Sequence, residues 1–185
     1  MMRMVLLGAP GAGKGTQASA IAEQFGVPAI STGEMFRAEA GRDTRLGRRV
    51  APLLNAGSLV PDDVAVAVVR ERLAAPDAAD GFVLDGFPRA VGQAEALDAL
   101  LAVDGYALDT VIELVVGRDE LLRRLAGRGR PDDDPDTVVA RLNAWETENG
   151  PLVSYYRTRG RLTEIDAGGP VAAVTARAVC VARRG

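Results

Sequence analysis

The sequence predicts an α/β fold: a parallel sheet of five strands covered by helices on both faces. Two observations predict it. Short apolar runs alternate along the 185 residues with stretches of helical period, and strands separated by helices make parallel sheets buried on both sides. Aromatic residues supply only 4% of a chain that is 48% hydrophobic. The core must therefore be built from Val, Leu, Ile and Ala, as buried parallel strands favour.

The first apolar run, at 4–7, is a strand that ends in a glycine-rich turn, and 15–25 continues as a helix. A weaker strand at 29–30 leads into helices over 31–39, 44–54 and 61–73. Ser31-Thr-Gly-Glu34 fits a capping box, with Ser31 as N-cap and Glu34 reaching back from the first turn. Because 31–60 contributes only helices, it reads as a small excursion from the sheet. The strand 82–84 precedes a helix at 90–101, and the strand 111–116 precedes one at 118–125. Residues 127–134, GRGRPDDD, form the most polar and turn-rich stretch and read as a mobile loop. Asp134 and Pro135 then restart a helix over 135–156 as N-cap and first helical residue, and Gly150 is expected to loosen a helix C-terminus. The strand 162–165 and the helix 171–181 complete the pattern. There are no internal repeats, and the length suits one domain.

The net charge of −3 argues against a nonspecific binder of nucleic acid or anionic membranes. A single cysteine, Cys180, excludes an intrachain disulfide and a cysteine-based zinc cage. The absence of histidine removes the usual general base and the commonest metal ligand. The apolar stretch in MMRMVLLG is too short for a signal-peptide core. No run approaches the ~20 apolar residues of a membrane span, so a cytoplasmic protein is expected.

The turn GAPGAGKGTQ, residues 8–17, holds Lys14, the only lysine among 22 basic residues. A strand running into a glycine-rich turn that opens a helix is the context of a phosphate-binding loop. Its backbone N–H groups converge on phosphate oxygens, and the helix N-terminus adds partial positive charge. The compact ammonium of lysine can follow a migrating phosphoryl group, which a planar guanidinium on a different stem cannot do in the same cradle. Lys14 stands where the pattern demands lysine, so the fold is expected to be the three-layer αβα arrangement of P-loop NTPases. Gly15 occupies the place of the usual Ser or Thr that ligates Mg²⁺. The metal is therefore expected to be held by phosphates and water, with Thr16 contacting phosphate instead.

Further motifs follow in order: STGEMFR (31–37), GSLVPD (57–62), GFVLDGFPRAVGQA (81–94) and GRPDD (129–133). Together with the glycine-rich turn, they resemble the adenylate kinase family over essentially the whole chain. The resemblance implies reversible phosphoryl transfer from MgATP to AMP, giving two ADP and maintaining adenine nucleotide balance. It implies an ATP site at Gly11, Ala12, Gly13, Lys14, Gly15, Thr16 and Arg128, with the backbone of Gly169 beside the donor base. It implies an AMP site at Thr32, Arg37, Ser58, Leu59, Val60, Gly86, Phe87, Pro88, Arg89, Gln93, Arg130 and Arg141. Thr32 would face the acceptor base, Arg37 and Arg89 would hold its phosphate, and Gln93 would bond the adenine edge. Catalysis would fall to Lys14, Arg89, Arg124, Arg128, Arg130 and Arg141, with Asp85 ordering water around Mg²⁺ rather than binding it directly; no zinc is expected.

The residues support that assignment on their own chemistry. Arg124 and Arg128 are four apart on a helix and share a face, while Arg123 lies off it and Arg118, Asp119 and Glu120 read as solvated charge. Phosphoryl transfer spreads charge over equatorial oxygens and needs positioning and neutralisation more than a general base, which suits an arginine-rich chain without histidine. Only Gly129 separates Arg128 from Arg130 where longer relatives insert a lid. The chain thus resembles a short, lidless, bacterial-type form: one domain with an acceptor segment at 31–60 and a minimal lid at 127–137.

Two other readings remain. Relatives that phosphorylate UMP or CMP usually carry Ala and Asn where Thr32 and Gln93 stand. The other is a noncatalytic nucleotide switch or regulatory ATPase; its GTPase form would need an Asn-Lys-x-Asp segment, which a chain whose one lysine is Lys14 does not contain. Partners are expected to be ATP, AMP and ADP, with no nucleic acid and no membrane, and the chain is expected to be a monomer.

Overall fold

The computed structural model describes residues 2–127, 129 and 134–184. Its sheet has five parallel strands: β1 (Met2–Gly8), β2 (Ala29–Ser31), β3 (Gly81–Asp85), β4 (Thr110–Val115) and β5 (Leu162–Asp166). Their order is β2-β3-β1-β4-β5, so the chain leaves β1 toward one edge and later crosses to the other. The eight helices described are α1 (Lys14–Phe25), α2 (Thr32–Ala40), α3 (Arg45–Asn55), α4 (Asp62–Leu73), α5 (Val91–Val103), α6 (Arg118–Ala126), α7 (Pro135–Thr158) and α8 (Val171–Ala182). Every expected element is present, with boundaries shifted by one or two residues.

Side chains alternate across a strand, and β1 divides its apolar residues accordingly. Met4 and Leu6 pack with Ile21 of α1, Leu121 and Leu125 of α6, and Val174 and Ala178 of α8. Val5 and Leu7 pack on the opposite face with Val69 of α4, Leu97 of α5, and Leu152 and Tyr156 of α7. The result is an αβα sandwich with a core on each side of the sheet.

Two local expectations are corrected. Ser31 is the N-cap of α2, but its side chain caps nothing. The parallel register sets Ser31 beside Asp85, and the Ser31 hydroxyl donates to Asp85 Oδ2 at 3.2 Å. A tertiary partner has thus displaced the local capping bond. The second concerns Gly150, expected to loosen a helix C-terminus: it sits inside α7, which runs through Gly150 and Pro151 as the expected helix over 135–156 does. Proline removes one helical N–H, but anchors on both sides hold the helix. Asn149 Nδ2 donates to the buried Glu113 of β4 at 2.9 Å, and Leu152 and Tyr156 are fully buried just beyond. At the start of α7 the expected cap is present, with Asp134 accepting from the Thr137 N–H at 3.0 Å.

No helix among the described residues is long and apolar enough to cross a membrane.

Candidate active site

Ligands of parallel α/β sheets bind beyond the carboxyl ends of the strands, and the main cavity lies there. It has a volume of about 330 Å³ and is walled by the turn after β1, the end of β3 and one face of α7. The turn contributes Gly11, Gly13, Lys14, Gly15 and Thr16. Gly11 and Gly13 have φ of 87° and 94°, which turns the chain tightly enough for α1 to begin at Lys14. Lys14 Nζ donates to the carbonyls of Gly8 at 2.6 Å and Ala9 at 3.0 Å, so the ammonium folds back across its own loop. Ala12 is buried and does not face the cavity; its carbonyl accepts from Arg124 Nη1 at 3.4 Å.

Asp85 ends β3 on the cavity wall, only 9% exposed. A β-carbon on Gly15 would lie 3.6 Å from Asp85 Oδ2, so the carboxylate stands against the residue that follows the lysine. No group of three potential metal ligands occurs among the described residues. A single carboxylate next to a phosphate cradle suits a cation bound chiefly through phosphates and water, not one caged by protein.

A side pocket of about 60 Å³ opens from this cavity beneath α2 and α3. Thr32, Ser58, Val60, Phe87 and Gln93 line it, Leu59 and Gly86 line both spaces, and Pro88 faces the larger one. The Thr32 hydroxyl is turned inward and donates to the Asp85 carbonyl at 3.3 Å. Gln93 is 2% exposed and already bonded at both ends, as described below.

Arg37, Arg89 and Arg141 come from α2, the turn after β3 and α7, yet all three line both spaces. The Arg89 side chain is held by Nε donating to the Gly86 carbonyl at 2.9 Å. It reaches the cleft surface while protein closes around it at longer range. That desolvation lowers its pKa, Asp85 opposes the shift, and Arg141 and Arg37 reinforce it. A cluster of cations held this way favours an anion among them. Arg124 lines the larger cavity and is bonded three ways: Nε to Glu120 at 2.6 Å, Nη1 to Ala12 O and Nη2 to Ala167 O at 3.0 Å. Glu120 is therefore no bystander in a solvated run. Arg123 is 75% exposed at its side chain and pairs with the same Glu120 on the outside.

Gly169 is not brought to either cavity; it lies in the loop after β5 with φ of 88° and open space where a side chain would start. Arg128 and Arg130 lie outside the described residues. On α7, three cavity residues were not foreseen from the sequence: Ala144, Trp145 and Glu148. Counted from Arg141 they stand at i+3, i+4 and i+7, one face of α7, so helical spacing from the arginine would have found them.

A model of the adenylate kinase family matches residues 6–161. The chain belongs to the adenylate kinase family. Similar curated relatives agree over nearly their whole length. The adenylate kinase of Thermobifida fusca is 50% identical over 182 residues, with 96% of each chain covered. That of Mycobacteroides abscessus is 51% identical, with 95% of this chain and 96% of its own covered. The adenylate kinase of Acidothermus cellulolyticus is 48% identical, with 98% of each covered. That last alignment spans 213 positions, more than the 185 residues of this chain, so this relative carries inserted residues that the chain lacks. Adenylate kinases of two lengths thus align with it.

Proposed function

We propose that the chain is a nucleoside monophosphate kinase that transfers the γ-phosphoryl group of MgATP to AMP and forms two ADP. One observation carries the reading: the phosphate loop and the side pocket open onto one cleft, and Arg37, Arg89 and Arg141 line both spaces. A donor held by the loop and an acceptor seated in the side pocket would meet at their phosphates among these cations.

In the reaction an α-phosphate oxygen of AMP attacks the γ-phosphorus of ATP. The bond from that phosphorus to the β,γ-bridging oxygen breaks, and ADP leaves without any proton being required. The loop amides and Lys14 hold the donor phosphates, and the short reach of the ammonium lets it leave the Gly8 and Ala9 carbonyls for the moving group. Arg37 and Arg89 hold the AMP phosphate; Arg124, Arg128, Arg130 and Arg141 offset the charge that develops on the transferred oxygens. Thr32 and Gln93 face the adenine of AMP. Asp85 would help hold Mg²⁺ through water, and the ion would supply positive charge to the donor phosphates. Inward movement of the acceptor segment 31–60 when both nucleotides bind would exclude water from the cleft and disfavour hydrolysis of ATP. The chain works as a single-domain, cytoplasmic monomer.

Comparing AMP, CMP and UMP as acceptors of phosphate from MgATP tests this reading. AMP is expected to be used far better than either pyrimidine nucleotide. A preference for CMP or UMP would overturn it.

A further inference from the structure

We propose that Asp62 is a positioning residue that fixes the rotation of the Gln93 carboxamide, and so makes the acceptor pocket prefer a 6-amino purine to a 6-oxo purine. The proposal rests on the reading of Gln93 as the group that faces the acceptor base. Gln93 Oε1 accepts from the Arg89 backbone N–H at 2.8 Å, and its Nε2 donates to Asp62 Oδ1 at 2.7 Å. Both partners are single-function groups, since a backbone amide only donates and an ionised carboxylate only accepts. Only one rotation of the carboxamide satisfies both. The flipped rotation would set N–H against N–H and oxygen against carboxylate.

This arrangement uses one of the two amide protons and one of the two oxygen lone pairs. One donor and one acceptor remain, in a fixed order, on a side chain that lines the side pocket. The edge of adenine offers an acceptor at N1 and a donor at the 6-amino group. The edge of hypoxanthine offers the reverse, a donor at N1 and an acceptor at O6. A base seated in one pose can match only one order. A site built to bond one pattern rejects the other because its buried polar groups are left mismatched.

Asp62 is well placed to hold the orientation. It is the first residue of α4, where the helix N-terminus favours a carboxylate. Its other oxygen lies 3.3 Å from where a β-carbon on Gly92 would be, so the glycine beside Gln93 leaves room for the carboxylate. Asp63, the next residue, turns away and pairs with Arg49 of α3 at 3.3 Å.

The test measures kcat and KM for AMP and for inosine monophosphate in the parent protein and in Asp62→Asn, Asp63→Asn and Gln93→Ala. The asparagine amide can face either rotation of Gln93, so the near-isosteric change removes only the orientation. For Asp62→Asn the ratio of kcat/KM for AMP to that for inosine monophosphate should fall about five-fold, the scale of one partly solvated charge-assisted bond. The loss should lie in KM, with kcat at saturating AMP within about two-fold of the parent. Asp63→Asn, which alters the same helical turn, should leave the ratio unchanged. An unchanged ratio in folded Asp62→Asn together with a collapsed ratio in Gln93→Ala would overturn the role of Asp62 alone. A ratio unmoved by Gln93→Ala would overturn the reading of Gln93 as well.

Discussion

Gly86 is the residue at which the fold and the acceptor pocket depend on the same missing atoms. Its φ is 83°, and a β-carbon there would lie 2.8 Å from Thr32 Oγ1 and 3.4 Å from Arg89 Nη2. Two costs follow for Gly86→Ala. Holding alanine in left-handed backbone costs about 1–2 kcal/mol. The contact with Thr32 adds about 1–3 kcal/mol, because the side chain that must move is β-branched, 1% exposed and bonded to the Asp85 carbonyl. Together they predict a melting temperature lower by roughly 5–15 °C for a domain of this size. Displacement of Thr32 and Arg89 should also raise KM for AMP about ten-fold while KM for ATP changes little. Gly105→Ala is the control, since Gly105 has φ of 74° and nothing within 4 Å of the added carbon, so it reports backbone strain alone. Thermal denaturation and steady-state kinetics of both variants decide the matter. The crowding argument is refuted if Gly86→Ala melts no lower than Gly105→Ala and binds AMP as the parent does.

Lys14→Arg should lower kcat by about two orders of magnitude or more despite its equal charge, with the far-UV circular dichroism unchanged; near-normal turnover would show that charge alone suffices. Glu113 is 8% exposed, and its burial raises its pKa from the usual 4.5, against the opposing bond from Asn149 and with Glu164 and Arg157 acting in opposite directions. The folded state therefore holds the proton more tightly than the unfolded chain, so the contribution of Glu113 is full below 4.5 and is lost as pH rises through the raised folded value. Glu113→Gln, which copies the protonated group, should melt higher than the parent at pH 8. That advantage should shrink as the pH falls toward 4.5, as differential scanning calorimetry across the range would report.

The elements and the phosphate loop were legible because their signals are local. Apolar period, glycine punctuation and the Asp134-Pro135 start each act within a few residues, and the sole lysine marks the loop. What escaped depends on distant partners. The Ser31 capping bond failed because strand register brings Asp85, 54 residues away, to its hydroxyl. The helix over 135–156 was legible, but Gly150 was expected to loosen a helix C-terminus, and the tie of Asn149 to Glu113, 36 residues away, that anchors the helix there had no local signal. The tie between Gln93 and Asp62 spans 31 residues and has no periodic or motif signature. Trp145 is the intermediate case, legible once Arg141 is taken as a wall of the cleft and the helix is counted forward from it.

The central claim is that AMP, not water, receives the phosphoryl group. Phosphorus NMR of the purified protein with MgATP and AMP tests it most directly. The account predicts that ATP and AMP resonances fall together while those of ADP rise at two ADP per ATP consumed, with no inorganic phosphate peak. Conversion of ATP to ADP and inorganic phosphate with AMP untouched, or no conversion by folded protein, would contradict it.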